Sequence, residues 1–502
     1  MLKIIAPEKA GVASEKILEM LEVFQKKNYA MHSIIMSHKG KVFFEEYWEP
    51  YHHESLHRIY SASKSFVSLA VGFLVDEGRI CLEDPVLKYF SQYREQAPEY
   101  LREQTICDML KMSTASVDGH WMGLGIQERI PYYFTRTQNR PSGTIYNYDS
   151  TGSYILGVIV EKITGKSFID YLKEKLFRKI GVSEDICCLK TPEGYSWGDS
   201  GIRCRAEDFW RVAQFACNMG SWNGEQLLSR NYMEMATSAQ VFTGNSGYCN
   251  QGNYGYGYQF WKCEEGFSFN GMGNQYAICI PEKNFVFVCT ADNQFNPSSG
   301  EVIFETVFDK IIKNLSETSI SESRKEQEAL KSYCSKLCLP CVCGRMKTSF
   351  QENVHNVIYI LDENPMKISE IMLNFEGADS GKLIFTNPEG RQELAFGIGK
   401  NVFGLFPKAD MPNEVGGQDE KGYRHRYAAS AAWVEECKLF IKVQIVDKYL
   451  GNLNITIGFN GEWVGMQMCA NAEYFLQSFH GFAGGRRQKN ALVSKESVSI
   501  QE

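Results

Sequence analysis

Several features that mark whole classes of protein are missing from this sequence. Outside the stretch that follows Ser61, no apolar run approaches the roughly 20 residues of a membrane-spanning helix. Residues 1–7 lack the apolar segment of a secretory signal, and with a net charge of −7 no basic block is dense enough to bind nucleic acid. We therefore expect a cytoplasmic protein whose 16 cysteines are reduced thiols, without membrane or nucleic acid among its partners.

Motifs of other enzyme classes are missing too. The sequence contains no Gly-x-Ser-x-Gly elbow, which would mark a different hydrolase architecture. The cysteines between Cys334 and Cys343 do not have the paired spacing of a zinc site. The glycines between Gly397 and Gly404 lie among short strands rather than between a strand and a helix, as a dinucleotide site requires. We therefore expect neither a metal ion nor a cofactor.

What the chain does contain is a single Ser-x-x-Lys, formed by Ser61 and Lys64. A helix places residues three apart on one face, so this lysine can accept or orient the serine proton. Residues 66–75 are apolar on nearly every side, which predicts a buried helix that ends at Asp76-Glu77-Gly78. Because such a motif arises by chance about once or twice in a chain of this length, its meaning depends on what accompanies it.

Two further elements follow along the chain. Tyr148-Asp149-Ser150 opens an apolar segment that runs to Gly165. Phe269-Asn270-Gly271-Met272 precedes two strands at 276–280 and 285–290. Together with a hairpin at 31–48 these strands predict an antiparallel sheet, and the apolar spacing of 300–315 predicts a helix packed across it.

In this order and at these separations the three elements resemble the serine β-lactamase and penicillin-binding-protein superfamily, and most nearly its class C branch of esterases, D-amino-acid peptidases and nylon-oligomer hydrolases. The resemblance covers roughly residues 5–315. It implies an α+β fold, in which an antiparallel sheet flanked by helices forms an α/β sandwich beside a helical lobe. The function that it implies is that of a serine hydrolase acting on a small molecule.

The resemblance also implies a role for particular residues. Ser61 matches the nucleophile, Lys64 its base or the partner that orients the base, and Tyr148 a second proton carrier. Whether Lys64 or Tyr148 accepts the proton stays open. The oxyanion hole is expected from the backbone N–H groups of Ser61 and Met272.

Two residues depart from the superfamily pattern. Ser150 occupies a position at which many members carry asparagine, and Phe269 one at which lactamases and D-peptidases carry lysine or histidine. The missing cation removes a contact to a substrate carboxylate that is worth about 1.5–3 kcal/mol. We therefore expect an ester or amide with a neutral or hydrophobic acyl group rather than a β-lactam. The residues expected to contact it are Ser150, Phe269, Asn270, Gly271, Trp121 and Tyr256.

Other functions stay open at this stage. The same acyl-enzyme could pass its acyl group to an alcohol or amine, which would make the protein an acyltransferase. A β-lactamase, a D-peptidase or a non-catalytic binding protein on this fold are weaker alternatives, the last because Ser61, Lys64 and Tyr148 are all present.

The composition changes after the hydrolase-like region. We expect a hydrolase domain at 1–315, a linker rich in Ser, Glu and Lys at 316–335, and an all-β barrel or sandwich at 336–480, where short alternating segments recur between Gly, Asn and Asp. The polar residues 481–502 are expected to form a disordered tail. A homo-oligomer formed through the C-terminal domain is left open.

Overall fold

We describe the structure from a computed structural model, over residues 2–116, 128–244, 254–409, 421–472 and 475–488. Its contacts divide the chain into two compact units. The first unit holds the described part of Met1–Pro340 together with the short segment Lys448–Leu450. The second unit holds most of the described residues after Pro340.

The first unit is built on an antiparallel sheet. Its described strands are β1 (Met31–His38), β2 (Lys41–Tyr47), β3 (His57–Arg58), β4 (Cys187–Cys188), β5 (Ile202–Cys204), β6 (Ser221–Trp222), β7 (Glu225–Gln226), β8 (Trp261–Lys262), β9 (Phe267–Gly271), β10 (Gln275–Ile280) and β11 (Phe285–Ala291). The large sheet has the order β2-β1-β11-β10-β9-β8, and all its neighbours are antiparallel. The short strands pair as β3-β5-β4 and β6-β7.

Helices pack around this sheet. Those described in the first unit are α1 (Ser14–Lys26), α2 (Ser63–Asp76), α3 (Glu99–Arg102), α4 (Ile106–Leu110), α5 (Arg129–Thr135), α6 (Ser150–Thr164), α7 (Phe168–Leu172), α8 (Arg178–Ile180), α9 (Ala206–Cys217), α10 (Arg230–Thr237), α11 (Ser299–Thr306) and α12 (Arg324–Cys334). α2 packs against α6, α7 and α10 in a helical region, as expected for a helix that is buried along nearly its whole length.

The sheet is covered on both faces. All residues of β1, β10 and β11 are buried, and alternate side chains point to opposite sides, as the pleat of a strand requires. On one side Ile34 and Met36 join a core with residues of α1, α11 and α12. On the other side Ser37 bonds to Gln214 and Trp210 of α9. The predicted sandwich of a sheet between helices, beside a helical lobe, is confirmed.

The segment expected to be a linker contains a packed helix. Most of α12 is polar, but Leu330 and Cys334 are four residues apart on one helix face and lie in the same core as α1. The Tyr333 hydroxyl also donates to Gln25 of α1 at 2.5 Å. Residues 324–334 therefore belong to the first unit.

The second unit is an antiparallel barrel. It contains α13 (Gln351–Val354) and the described strands β12 (Ile358–Leu361), β13 (Glu370–Glu376), β14 (Ser380–Asn387), β15 (Gly390–Ile398), β16 (Val402–Leu405), β17 (Arg426–Glu435), β18 (Lys438–Val446), β19 (Leu450–Asn460), β20 (Trp463–Ala472) and β21 (Gly481–Arg487). They follow the order β15-β14-β13-β12-β21-β20-β19-β18-β17-β16, and a parallel pairing of β15 with β17 closes nine of them into a ring.

Burial along these strands follows the alternation read from the sequence. β12 and β13 bury every second side chain, and the barrel rather than the sandwich is the form adopted. The disordered tail expected at 481–502 does not begin at 481. Strand β21 pairs with both β12 and β20, so the barrel extends to Arg487. Along the described residues, no helix is long and apolar enough to cross a membrane.

Candidate active site

Ser61 and Lys64 meet at the start of the buried helix α2. Ser61 lies in a 3₁₀ turn, Tyr60–Ala62, that leads directly into this helix. The Lys64 Nζ donates to the Ser61 Oγ at 3.1 Å. Lys64 is only 1% exposed, whereas Ser61 is partly accessible. A reachable hydroxyl beside a buried amine is the arrangement that a serine nucleophile needs.

A second residue, Asp199, also binds Lys64. Its Nζ also donates to the backbone oxygen of Asp199 at 2.8 Å and lies 3.9 Å from the Asp199 carboxylate. Burial raises the pKa of Asp199 to about 6, although Lys64 and Arg129 favour its charged form. Sequence reasoning did not identify Asp199, because the residue follows no motif and lies 135 residues from Lys64.

Tyr148 stands beside the same lysine. The Lys64 Nζ lies 5.0 Å from the centroid of the Tyr148 ring. Trp261 stacks on this ring with centroids 5.8 Å apart and an interplanar angle of 20°, and Tyr256 meets it edge to face at 6.4 Å. These contacts fix the orientation of the phenol.

The backbone around Tyr148 is anchored by its neighbour Asp149. This buried carboxylate accepts from the Gly152 N–H and so caps α6, and it also accepts from Thr114 Oγ1 at 2.6 Å and from Arg136 Nη2 at 2.7 Å. Burial alone would raise the pKa of Asp149, but Arg136 and the hydroxyl donors hold it below its ordinary value. An ionised Asp149 therefore fixes the turn from which Tyr148 projects.

The sheet approaches the serine at Gly271, the last residue of β9. A Cβ on this glycine would lie 2.2 Å from the backbone oxygen of Ile59, so only glycine lets β9 come this close to the segment before Ser61. Met272 follows directly, with 39% of its surface exposed, and its carbonyl oxygen accepts from Gln275. Residues 271–272 thus adjoin the Ser61 turn, where the oxyanion-hole N–H of Met272 is expected.

The residues expected to bind substrate differ in their surroundings. Phe269 is fully buried, and its ring meets those of Phe66, Phe209 and Phe260. Its side chain is therefore part of the core, and the expectation that it contacts substrate needs correction. The physical reason is that β9 is covered on both faces, so an apolar residue here packs inward.

The other expected contacts are placed as follows. Asn270 is partly exposed, and its Oδ1 has no hydrogen-bond partner among the described residues. Ser150 is buried as the first residue of α6. Tyr256 is also buried, in a cluster with Met112, Tyr146 and Trp261, so it supports Tyr148 rather than offering an open surface. Trp121 lies outside the described residues.

A sheet between helical layers, with a serine, a lysine and a tyrosine together at a helix start, is the arrangement of a serine hydrolase. The profile of the beta-lactamase family matches residues 30–309, and the chain belongs to this family. The family predicted from the sequence is confirmed.

Individual relatives match parts of the chain. The 6-aminohexanoate-dimer hydrolase of Paenarthrobacter ureafaciens is 26% identical over 214 residues, which are 39% of this chain and 54% of that protein. Penicillin-binding protein 4 of Amycolatopsis lactamdurans is 28% identical over 131 residues, or 25% of this chain and 34% of that protein. The chain thus spans about half of the first relative and a third of the second.

The fold is also found among solved structures. A protein of Bacillus anthracis provisionally named a 6-aminohexanoate-dimer hydrolase has a TM-score of 0.51 and 20% identity, and the match covers 62% of this chain and 86% of that one. At this identity the likeness concerns the fold alone.

Proposed function

We propose that this protein hydrolyses an ester or amide through an acyl-Ser61 intermediate. The observation that carries the proposal is the contact of the buried Lys64 Nζ with the Ser61 Oγ at 3.1 Å, beside the ring of Tyr148. A serine hydroxyl becomes nucleophilic when a neighbouring group removes its proton as it attacks. Lys64 contacts the hydroxyl directly, and Tyr148 stands beside Lys64.

The reaction then proceeds in two steps. The Ser61 Oγ forms a bond to the carbonyl carbon, and its proton passes through Lys64 and Tyr148 to the leaving alcohol or amine as the ester or amide bond breaks. Water next attacks the acyl-serine, gives a proton back to Ser61 through the same groups, and releases the acid. The N–H groups of Ser61 and Met272 are proposed to stabilise the oxyanion in both steps.

The acyl group is proposed to be neutral or hydrophobic. At position 269, where related enzymes carry a cation, a phenylalanine is buried among other rings and offers no charge to a carboxylate. The exposed Met272 presents apolar surface directly after β9. The Paenarthrobacter relative is named for hydrolysis of a 6-aminohexanoate dimer. Two amino acids are joined by an amide bond, so this name supports an amide alongside an ester.

The test is hydrolysis of p-nitrophenyl esters from acetate to decanoate, and of the matching anilides, by the wild type and Ser61→Ala. We expect Ser61→Ala to lose at least about a thousandfold in kcat, whereas Ser91→Ala, a change at an exposed serine, leaves the rates unaltered. A fluorophosphonate should label the wild type once, at Ser61. Equal rates for wild type and Ser61→Ala would refute the proposal.

Two finer questions belong to the same experiment. Adding simple alcohols and looking for new esters tests acyl transfer as an alternative fate of the acyl-enzyme. The cytoplasmic location stays a prediction, which cell fractionation would test. A homo-oligomer formed through the C-terminal domain also stays a prediction, which sedimentation of the purified protein would test.

A further inference from the structure

The residue before Ser61 has an unusual backbone conformation. Tyr60 has a φ of +47°, in the left-handed region that non-glycine residues adopt only when their surroundings hold them there. Because Tyr60 and Ser61 share a peptide bond, the conformation of Tyr60 sets the direction of the Ser61 side chain. What holds Tyr60 therefore matters for the reaction.

Tyr60 is held at its hydroxyl by a distant part of the chain. The side chain is 1% exposed, and its Oη accepts a hydrogen bond from the Leu450 N–H at 3.0 Å. These two residues are 390 positions apart. Leu450 opens β19, yet by its contacts the segment Lys448–Leu450 belongs to the first unit.

Arg58 joins this contact to the lysine side of the site. The buried guanidinium lies 4.2 Å from the centroid of the Tyr60 ring and 5.4 Å from that of the Tyr449 ring. Its Nε donates to the Ser200 backbone oxygen at 2.8 Å, and its Nη2 donates to the Ser200 hydroxyl at 2.9 Å. Ser200 follows Asp199, the residue that holds Lys64. Arg58 thus connects Tyr60, which precedes Ser61, with the segment that binds Lys64.

We propose that Tyr449 and Leu450 are positioning residues for the reaction at Ser61. Leu450 fixes the hydroxyl of Tyr60, and Tyr449 packs on the guanidinium beside it. Together they keep the left-handed conformation of Tyr60, which directs Ser61 towards Lys64. This inference rests on the proposed function. It gives residues far beyond the family match at 30–309 a part in catalysis without contact to the substrate.

The first test is Tyr60→Phe, which keeps the ring and removes the acceptor for the Leu450 N–H. We expect kcat on p-nitrophenyl esters to fall by about ten- to a hundredfold, since a small misplacement of the nucleophile has effects of this size. KM should change less than twofold, and the fluorophosphonate labelling of Ser61 should slow in parallel with kcat.

The matched control is Tyr427→Phe. The Tyr427 hydroxyl likewise accepts from a backbone N–H at 3.0 Å, that of Ala395, but within the barrel. We expect this variant to lose a similar amount of thermal stability and to keep its kcat. A merely structural role for Tyr60 predicts that both variants behave alike.

A second variant tests the same inference if Tyr60→Phe folds poorly. Tyr449→Leu removes the ring beside Arg58 and leaves Tyr60 intact, and it too should lower kcat with little change in KM. The inference is overturned if the wild type is active and folded Tyr60→Phe or Tyr449→Leu retains its kcat. Failure of the proposed function gives a different result, namely equal activity of wild type and Ser61→Ala.

Discussion

The Nζ of Lys64 donates to the backbone oxygen of Asp199 at 2.8 Å and lies 3.9 Å from the carboxylate of the same residue. Asp199 therefore gives Lys64 both a fixed acceptor and a negative charge. Both side chains are buried, so the charge acts through a medium less polar than water. The ionisation of Asp199 should therefore affect how readily Lys64 takes part in removing the proton of Ser61.

We predict that activity depends on the charge of Asp199. Since burial raises the pKa of this carboxyl to about 6, it takes up a proton as the pH falls through this value, and kcat/KM of the wild type should then decrease. Asp199→Asn should have a kcat/KM about tenfold lower at pH 8 and lack this decrease. Asp185→Asn, the same change at an exposed residue, should follow the wild-type profile. An unchanged acid limb in Asp199→Asn would contradict the prediction.

We predict that His57 makes the fold sensitive to acid. Its Nδ1 faces the Arg58 carbonyl oxygen at 2.9 Å and so donates, which leaves its Nε2 to accept from His32 Nδ1 at 2.7 Å. Burial lowers the pKa of His57 to about 4 from 6.5. The unfolded chain therefore takes up a proton below pH 6.5 that the folded protein does not, and stability is lost as the pH falls towards 4.

Urea unfolding between pH 7.5 and 4.5 measures this effect. The wild type should lose up to about 3 kcal/mol from this group, and His57→Gln should lose correspondingly less over the same range. His52→Gln, at an exposed position, should show the wild-type slope. Identical slopes for His57→Gln and the wild type would show that His57 does not control acid sensitivity.

We predict that Gly271→Ala separates β9 from the nucleophile. The added methyl group would meet the Ile59 oxygen at 2.2 Å, so β9 or the Ser61 turn must move. Stability should fall by about 1–3 kcal/mol and kcat by more than about tenfold. Gly458→Ala is the control, because a Cβ there has nothing within 4 Å. Thermal melts measure the loss of stability, and ester kinetics measure the loss of kcat. A Gly271→Ala variant that is both stable and active would count against this placement of β9.

We predict that restoring the family's cation at position 269 does not restore carboxylate binding. A lysine there would be buried among four aromatic rings, so Phe269→Lys should destabilise the protein by about 3–5 kcal/mol. Phe269→Leu should cost about 1 kcal/mol. A folded Phe269→Lys that gains affinity for benzylpenicillin, measured by acylation of Ser61, would show that position 269 faces the substrate after all.

The parts of the site that sequence could predict are local ones. Ser61 and Lys64 are one helical turn apart, so their contact follows from a helix alone, and the apolar run after them predicted its burial. Tyr148 was found by motif and order along the chain. The alternation of the β segments likewise predicted a β unit after the hydrolase region, though not its closure through β15 and β17, which depends on long-range pairing.

The parts that sequence could not predict depend on contacts between distant residues. Asp199, Arg136 and Leu450 lie in no motif, and each acts through a partner that the fold alone brings near. Phe269 was placed wrongly for a related reason. A motif position states where a side chain stands in relatives, whereas burial of both faces of β9 decides where it points here.

The central pairing of the first sheet has a consequence for synthesis of the chain. Ser33 on β1 bonds to Thr290 on β11, 257 residues later. At roughly 5–20 residues per second, a ribosome needs roughly 13–50 seconds to make the stretch between them. During that time the edge of β1 that later pairs with β11 stays open. We expect the nascent chain to engage a chaperone over this interval, and the central pairing of the sheet to form only after β11 has left the ribosome.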